Sequence, residues 1–302
     1  MTGADRQWRL NRENFKGCWQ GTSHWYLRGQ AERGEASGGE PAMGELDLAR
    51  PSRVIENTRY AISFSDADTG VWDGSGMLFA PEGRRRLELS RATYNLGGSC
   101  WQFRGAGGQS SLAVEAEAPR FGHEINLFHG RSRSMLVLLW DRGGGSGGGG
   151  SEGGGQWRLG AVAAVPFRCA LSEPVEPTRP PLAVDGLLAA VEGWPGTLET
   201  LQPGCWPEQD PPSAPTAPFR AARFAAAGLC AALADRLVFA APELLPAGAF
   251  RVEAGCLLTP RRFHRISLVF DDKQRLSAVE LRRYRPDPPP ELSPGGGSAT
   301  AG

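Results

Sequence analysis

The 302-residue chain carries 33 Lys and Arg against 33 Asp and Glu, so its net charge is zero. That balance argues against the broad basic face that binds nucleic acid nonspecifically. No apolar run approaches the roughly 18–20 residues that cross a bilayer, and the opening MTGADRQWRLNRENF has acids and no apolar core, unlike a secretory signal or a Ser-rich plastid transit peptide.

Asn11 to Phe15 reads as a short lead-in helix. Strand signals follow at Thr22–Leu27, Val54–Ile62 and Gly70–Phe79, the last ending in the turn Pro81-Glu82-Gly83. Arg86–Ala92 and Ser99–Arg104 come next, with Gly105 to Gly108 as a turn. Ser111–Ala118 alternates, and Gly122–His129 and Ser134–Trp140 complete the first half. Eight or nine short strands with almost no helical period predict a sandwich or barrel.

Residues 143–155 form a glycine-rich insert, and Gln156–Ala170 resumes strand character and pairs back onto the first half or bridges the two halves. Ser172–Pro181 reads as a Pro-rich linker, and Leu182–Ala190 as a short helix. Pro203–Pro218 is a second Pro-rich loop. Strands resume at Phe219–Phe224, Leu229–Leu233, Leu237–Ala240, Ala249–Leu258, Arg262–Phe270 and Arg275–Tyr284. The tail, 286–302, has the composition of a disordered segment.

A short phrase occurs in both halves: Gly17-Cys18-Trp19-Gln20-Gly21-Thr22 and Gly193-Trp194-Pro195-Gly196-Thr197. A Trp flanked by glycines suits the first strand of a small antiparallel barrel, where the glycines allow bending and the indole plugs one end. A barrel of that size holds one small ligand. The six cysteines, Cys18, Cys100, Cys169, Cys205, Cys230 and Cys256, include no C-x-x-C pair, and fit reduced thiols rather than zinc ligands or a disulfide scaffold.

The two Trp phrases, the block Phe250 to Pro260 (FRVEAGCLLTP), the following Arg262, Arg265, Ile266, Phe270 and Asp271, and the block Arg133–Asp141 resemble one group. It is an uncharacterised cyanobacterial and algal family of tandem calycin, or lipocalin-like, barrels, distantly similar to the CpeS-like and CpeT-like bilin lyases. The resemblance covers about residues 9–285 outside the inserts. It implies an all-β protein of two tandem antiparallel barrels, over 9–171 and 182–285, in the cytoplasm of a cyanobacterium or in a chloroplast. It supplies no catalytic residues. Pro195 after the second Trp departs from the pattern and puts a fully formed second pocket in doubt.

The expected function is noncatalytic binding of a small apolar or tetrapyrrole-like molecule. The alternatives are a bilin lyase or chaperone, and an assembly protein without a ligand. Trp19, Trp25, Trp72 and Trp101 are candidates to line a pocket for a planar ligand, or to fill a dry interior. Arg262 and Arg265 are candidates either to stack on a first-strand Trp or to fork onto a ligand carboxylate. His24, on the opposite parity from Trp19, faces away from it unless a bulge near Gly21 intervenes. The four histidines, His24, His123, His129 and His264, lack a metal-ligand spacing.

Overall fold

A computed structural model describes residues 2–29, 44–142 and 156–287. The glycine-rich insert and nearly all of the tail lie outside the described residues. The chain is mostly β, in two antiparallel sheets.

Helix α1 (Gly3–Phe15) comes first and starts earlier than the sequence reading placed it. The reason is a capping box: Thr2 Oγ1 accepts from the Asp5 N–H at 3.2 Å, and Asp5 accepts from the Thr2 N–H at 2.8 Å. The first sheet follows with β1 (Gly17–Leu27), β2 (Arg53–Phe64), β3 (Thr69–Ser75), β4 (Arg84–Ser90) and β5 (Cys100–Phe103). Its remaining strands are β6 (Ala106–Ser110), β7 (Phe121–His129), β8 (Ser132–Arg142) and β9 (Trp157–Cys169). The spatial order is β4-β3-β2-β1-β9-β8-β7-β6-β5. Strand β9 thus closes back onto β1, as expected of the segment after the glycine insert.

Helix α2 (Val184–Val191) opens the second half. Strands β10 (Gly196–Leu201) and β11 (Ala214–Thr216) follow, then α3 (Ala221–Ala225) and β12 (Leu229–Ala232). Strands β13 (Leu237–Ala241), β14 (Phe250–Thr259), β15 (Arg262–Phe270) and β16 (Leu276–Tyr284) complete the sheet, in the order β11-β10-β16-β15-β14-β13-β12. In both halves a helix precedes the first strand, which lies between the second strand and the last. The second half repeats the first without a counterpart to the hairpin β3–β4.

Neither sheet closes by pairing among the described residues: β4 and β5 end one ladder, β11 and β12 the other. The first sheet curls nonetheless, because residues from β4 at one end and β6 at the other line the same cavity. Helix α1 bridges its two wings. Trp8 Nε1 donates to Ala67 O beside β2 at 2.8 Å, and Asn14 Nδ2 donates to Phe103 O and Ala106 O between β5 and β6 at 2.8 and 3.2 Å.

The outer faces of the two sheets pack on each other. Leu136, Leu138 and Trp140 of β8 share one core with Val252, Ala254 and Cys256 of β14 and with Ile266 and Leu268 of β15. Phe250 and Phe270 stack in parallel with centroids 4.4 Å apart, and Phe121 meets both edge-on. Burial on both faces explains why β9 is a largely apolar run, and why β14 and β15 are buried along most of their length rather than at alternate positions, their buried polar side chains included. Strand β4 is the opposite case, an exposed end strand guarded by Arg84, Arg85 and Arg86.

Three expected elements come out differently. Gly107 and Gly108 lie inside β6, not in a turn; the turn is at Arg104-Gly105. A Cβ on Gly108 would sit 2.2 Å from Glu124 O and 2.5 Å from the Trp101 ring, so bare backbone is required there. Ser111–Ala118 is no strand of the first sheet. Its backbone instead bonds the β15–β16 turn, Val114 N to Gln274 O at 3.1 Å and Leu276 N to Leu112 O at 2.7 Å. Phe219–Phe224 leads into α3, since its alanines favour a helical turn and both phenylalanines bury with Phe263.

Candidate functional site

The cavity of the first sheet is built by register. Across β2, β3 and β4, Tyr60, Gly74 and Arg85 stand in one row, and Ile62, Trp72 and Leu87 in the next. Gly74 lets the Trp72 ring lie flat, since a Cβ there would be 2.6 Å from it. Trp72 meets Tyr60 edge-on at 5.1 Å. The opposite wall carries Gln109 beside Glu124 on β6 and β7. Asn11 and Phe15 of α1 add to the lining, and the cavity encloses about 300 Å³.

Arg133 is the one basic side chain buried in this cavity's lining, only 1% exposed. Its strand neighbours in register are Phe128 and Phe167. The guanidinium lies 4.8 Å from the Phe15 ring, 5.0 Å from Phe167 and 5.5 Å from Tyr60, a cage of cation–π contacts. Its Nε donates to Asn126 Oδ1 at 2.7 Å, and Nη2 donates to Glu124 Oε1 at 3.3 Å. Nη1 has no partner among the described residues.

A buried donor without an acceptor is costly, and the cost disappears when a ligand supplies one. Burial draws the Arg133 pKa below the usual arginine value while Glu124 and Tyr60 oppose that, and burial pushes the Tyr60 phenol above its usual range. The charges lining the cavity are Arg133, Arg85 and Glu124, so one ligand carboxylate would bring the site to neutrality.

Of the residues singled out from sequence, Trp72 lines this cavity. Trp19 lies beneath it, 1% exposed, with Nε1 donating to Phe15 O at 2.7 Å. The arginine over its ring is Arg131 of the β7–β8 turn, at 5.0 Å. Trp25 packs on Ala161 and Ala163, and Trp101 lies in the core shared by the two sheets. Trp194 precedes β10 and is half-buried; its N–H still bonds the end of α2, at Val191 O, 3.2 Å.

Arg265 forks onto Glu253 at 2.7 and 2.8 Å on the inner face of the second sheet. Arg262 lies at a cleft between the halves, with Nη1 on His129 Nδ1 at 2.9 Å. His24 faces away from Trp19, in register with Ala164 while Trp19 pairs with Cys169. The bulge lies on β2, where Asn57 takes φ +59°.

Arg133, Glu124 and Tyr60 escaped the sequence reading. The available signal was Arg133 itself, sharing a strand parity with Met135 and Val137 on an apolar face.

Cys169 is set apart from the other thiols. Burial pushes its pKa up, but hydrogen bonds from the Leu171 backbone and the Arg131 guanidinium, 2.6 Å from Sγ, bring it below the usual thiol value. Where the halves meet, the carboxylate of Asp235 is fully buried and accepts from Arg168 at 2.5 Å, Arg179 at 2.7 Å and Ser134 at 2.6 Å. This network ties the linker and both sheets together.

With the geometry established, comparison with known proteins is informative about fold. A solved structure from the DUF3598 family of Nostoc punctiforme, a protein of unknown function, superposes with a TM-score of 0.62 at 14% identity, over 93% of this chain and 99% of that one. The two chains share a fold. A putative outer membrane protein from Bacteroides fragilis aligns over 94% of this chain at 7% identity with a TM-score of 0.18, too low to carry an argument. No protein-family model and no curated protein matches the chain. The Nostoc protein extends the likeness over both halves and leaves the activity open.

Proposed function

We propose that the first sheet and α1 form a calycin-like cup that binds a small apolar molecule bearing a carboxylate, without catalysis. The observation that carries this reading is Arg133: a buried guanidinium, caged by aromatic rings, that belongs to the lining of a cavity and whose Nη1 has no partner among the described residues. A carboxylate accepting from Nη1 makes a charge-assisted hydrogen bond. Trp72, Tyr60, Ile62 and Leu87 offer the apolar surface for the rest of the ligand. At about 300 Å³ the cavity is at the small end for ligand sites, which favours a chain or a one- or two-ring acid over a complete tetrapyrrole. A bilin carries carboxylates too, so the lyase reading requires the same contact.

The test is displacement of a fluorescent fatty-acid analogue from the purified protein by apolar acids, retinoic acid, biliverdin and haem. Small apolar acids should compete and should quench tryptophan emission through Trp72. Failure of every member to bind would overturn the proposal.

A further inference from the structure

We infer that the cleft between the two halves is a second site, distinct from the cup, that binds a small phosphorylated molecule. Two adjoining cavities of about 470 and 460 Å³ share His129, Arg262 and Arg285 as lining. Both halves contribute: His129 ends β7, Arg262 begins β15 and Arg285 follows β16.

The charges in the cleft are unbalanced. Arg104 is paired with Asp210 at 2.8 Å, and Arg283 is paired with Glu199. Among the described residues Arg261, Arg262 and Arg285 form no ion pair. Arg262 donates to His129 Nδ1 at 2.9 Å, which requires that nitrogen to be unprotonated, so the contact adds no compensating charge.

A second, independent observation points to a ligand. His264 lines the same cleft, is only 6% exposed, and has no hydrogen-bond partner at either ring nitrogen among the described residues. A neutral imidazole always carries one N–H and one acceptor nitrogen, so this cleft-lining residue holds a buried donor without an acceptor among the described residues. Burial and the nearby Arg283 and Arg262 keep that ring neutral.

A phosphomonoester carries a charge of about −1.5 to −2 at neutral pH, with three acceptor oxygens. It matches two guanidinium groups without an ion pair among the described residues and one imidazole N–H, and phosphate geometry suits arginine. A monocarboxylate would leave one of the two shared arginines uncompensated. Arg261, in the second cavity, extends the cationic lining toward a diphosphate.

The experiment is isothermal titration calorimetry of the full chain with sodium pyrophosphate. Saturable binding at one site per chain is expected. Arg262→Ala and Arg285→Ala should each weaken it by about tenfold or more, and His264→Phe, which keeps the buried ring, should weaken it as well. Arg223→Ala, an arginine outside this cleft, and Arg133→Met in the cup should leave it unchanged. No saturable binding, or an equal loss in Arg223→Ala, would overturn the inference. Loss in Arg262→Ala with apolar-acid binding intact separates this site from the cup.

Discussion

At the scale of single residues, buried polar groups set how the protein responds to acid and to mutation. His123 is packed among Phe121, Trp140 and Phe270, and burial lowers its pKa from 6.5 to about 3. The unfolded chain takes up this proton near pH 6.5 and the folded chain does not. Between those values the unfolded state holds more protons, so stability falls as pH falls, by about 1.4 kcal/mol per pH unit for this histidine. Above pH 6.5 the effect is absent. His123→Phe should flatten the decline between neutral pH and roughly pH 5, as read by denaturant unfolding at each pH; an unchanged slope would show the ring to be solvated. Asp235→Ala should cost about 3–5 kcal/mol in the same measurement, because Arg168 and Arg179 are left buried without their shared carboxylate. The sequence singled out His123 only as one of four histidines without a metal-ligand spacing, and did not mark Asp235. Asp235 sits in the chain 67 positions from Arg168 and 56 from Arg179, and nothing local announces the contact.

At the scale of elements, alternation and turn chemistry carried most of the strand assignment. Arg262–Phe270 is a strand with the expected bounds, and the Asp271 carboxylate accepts from the Lys273 and Arg275 N–H groups in the turn that follows. Glycine was the ambiguous letter. Gly107 and Gly108 carry the signature of a turn, yet they serve a strand crossed by Gln102 and Trp101, which only the paired strand reveals. Gly108→Ala should therefore destabilise by about 1–3 kcal/mol or more, since the neighbour it meets is the backbone of β7. Thermal denaturation checks this, and a neutral result would show that β6 can shift away from β7. The cavity was only partly legible for a related reason. Trp72 stood out by residue type, whereas Arg133 shows only its parity with Met135 and Val137 along β8, and its cage comes from a register with Phe128 and Phe167 that no single strand displays.

At the scale of the whole molecule, the two Trp phrases stand near the first strand of each sheet, with Trp19 inside β1 and Trp194 just before β10, but they do not show how the two sheets join. The two sheets share one core through Trp140, Phe121, Phe250 and Phe270, and Trp140 Nε1 donates to Pro242 O at 2.9 Å across the junction. A shared core predicts one cooperative transition in which tryptophan emission and far-UV circular dichroism change together. Residues 1–181 expressed alone should expose Phe121, Leu136 and Leu138 and fail to form a stable monomer; an independently folded fragment would contradict the shared core. The missing counterpart of β3–β4 leaves the second half without the wall that Trp72 and Leu87 give the first, so the apolar cup belongs to the N-terminal sheet. The most direct measurement of that claim pairs an apolar carboxylic acid with its matching alcohol, titrated calorimetrically into the wild type and Arg133→Met. The wild type should prefer the acid by about 10- to 100-fold, the worth of a charge-assisted hydrogen bond, and the variant should lose the preference while remaining folded. Equal preference for the acid in both proteins would contradict the account.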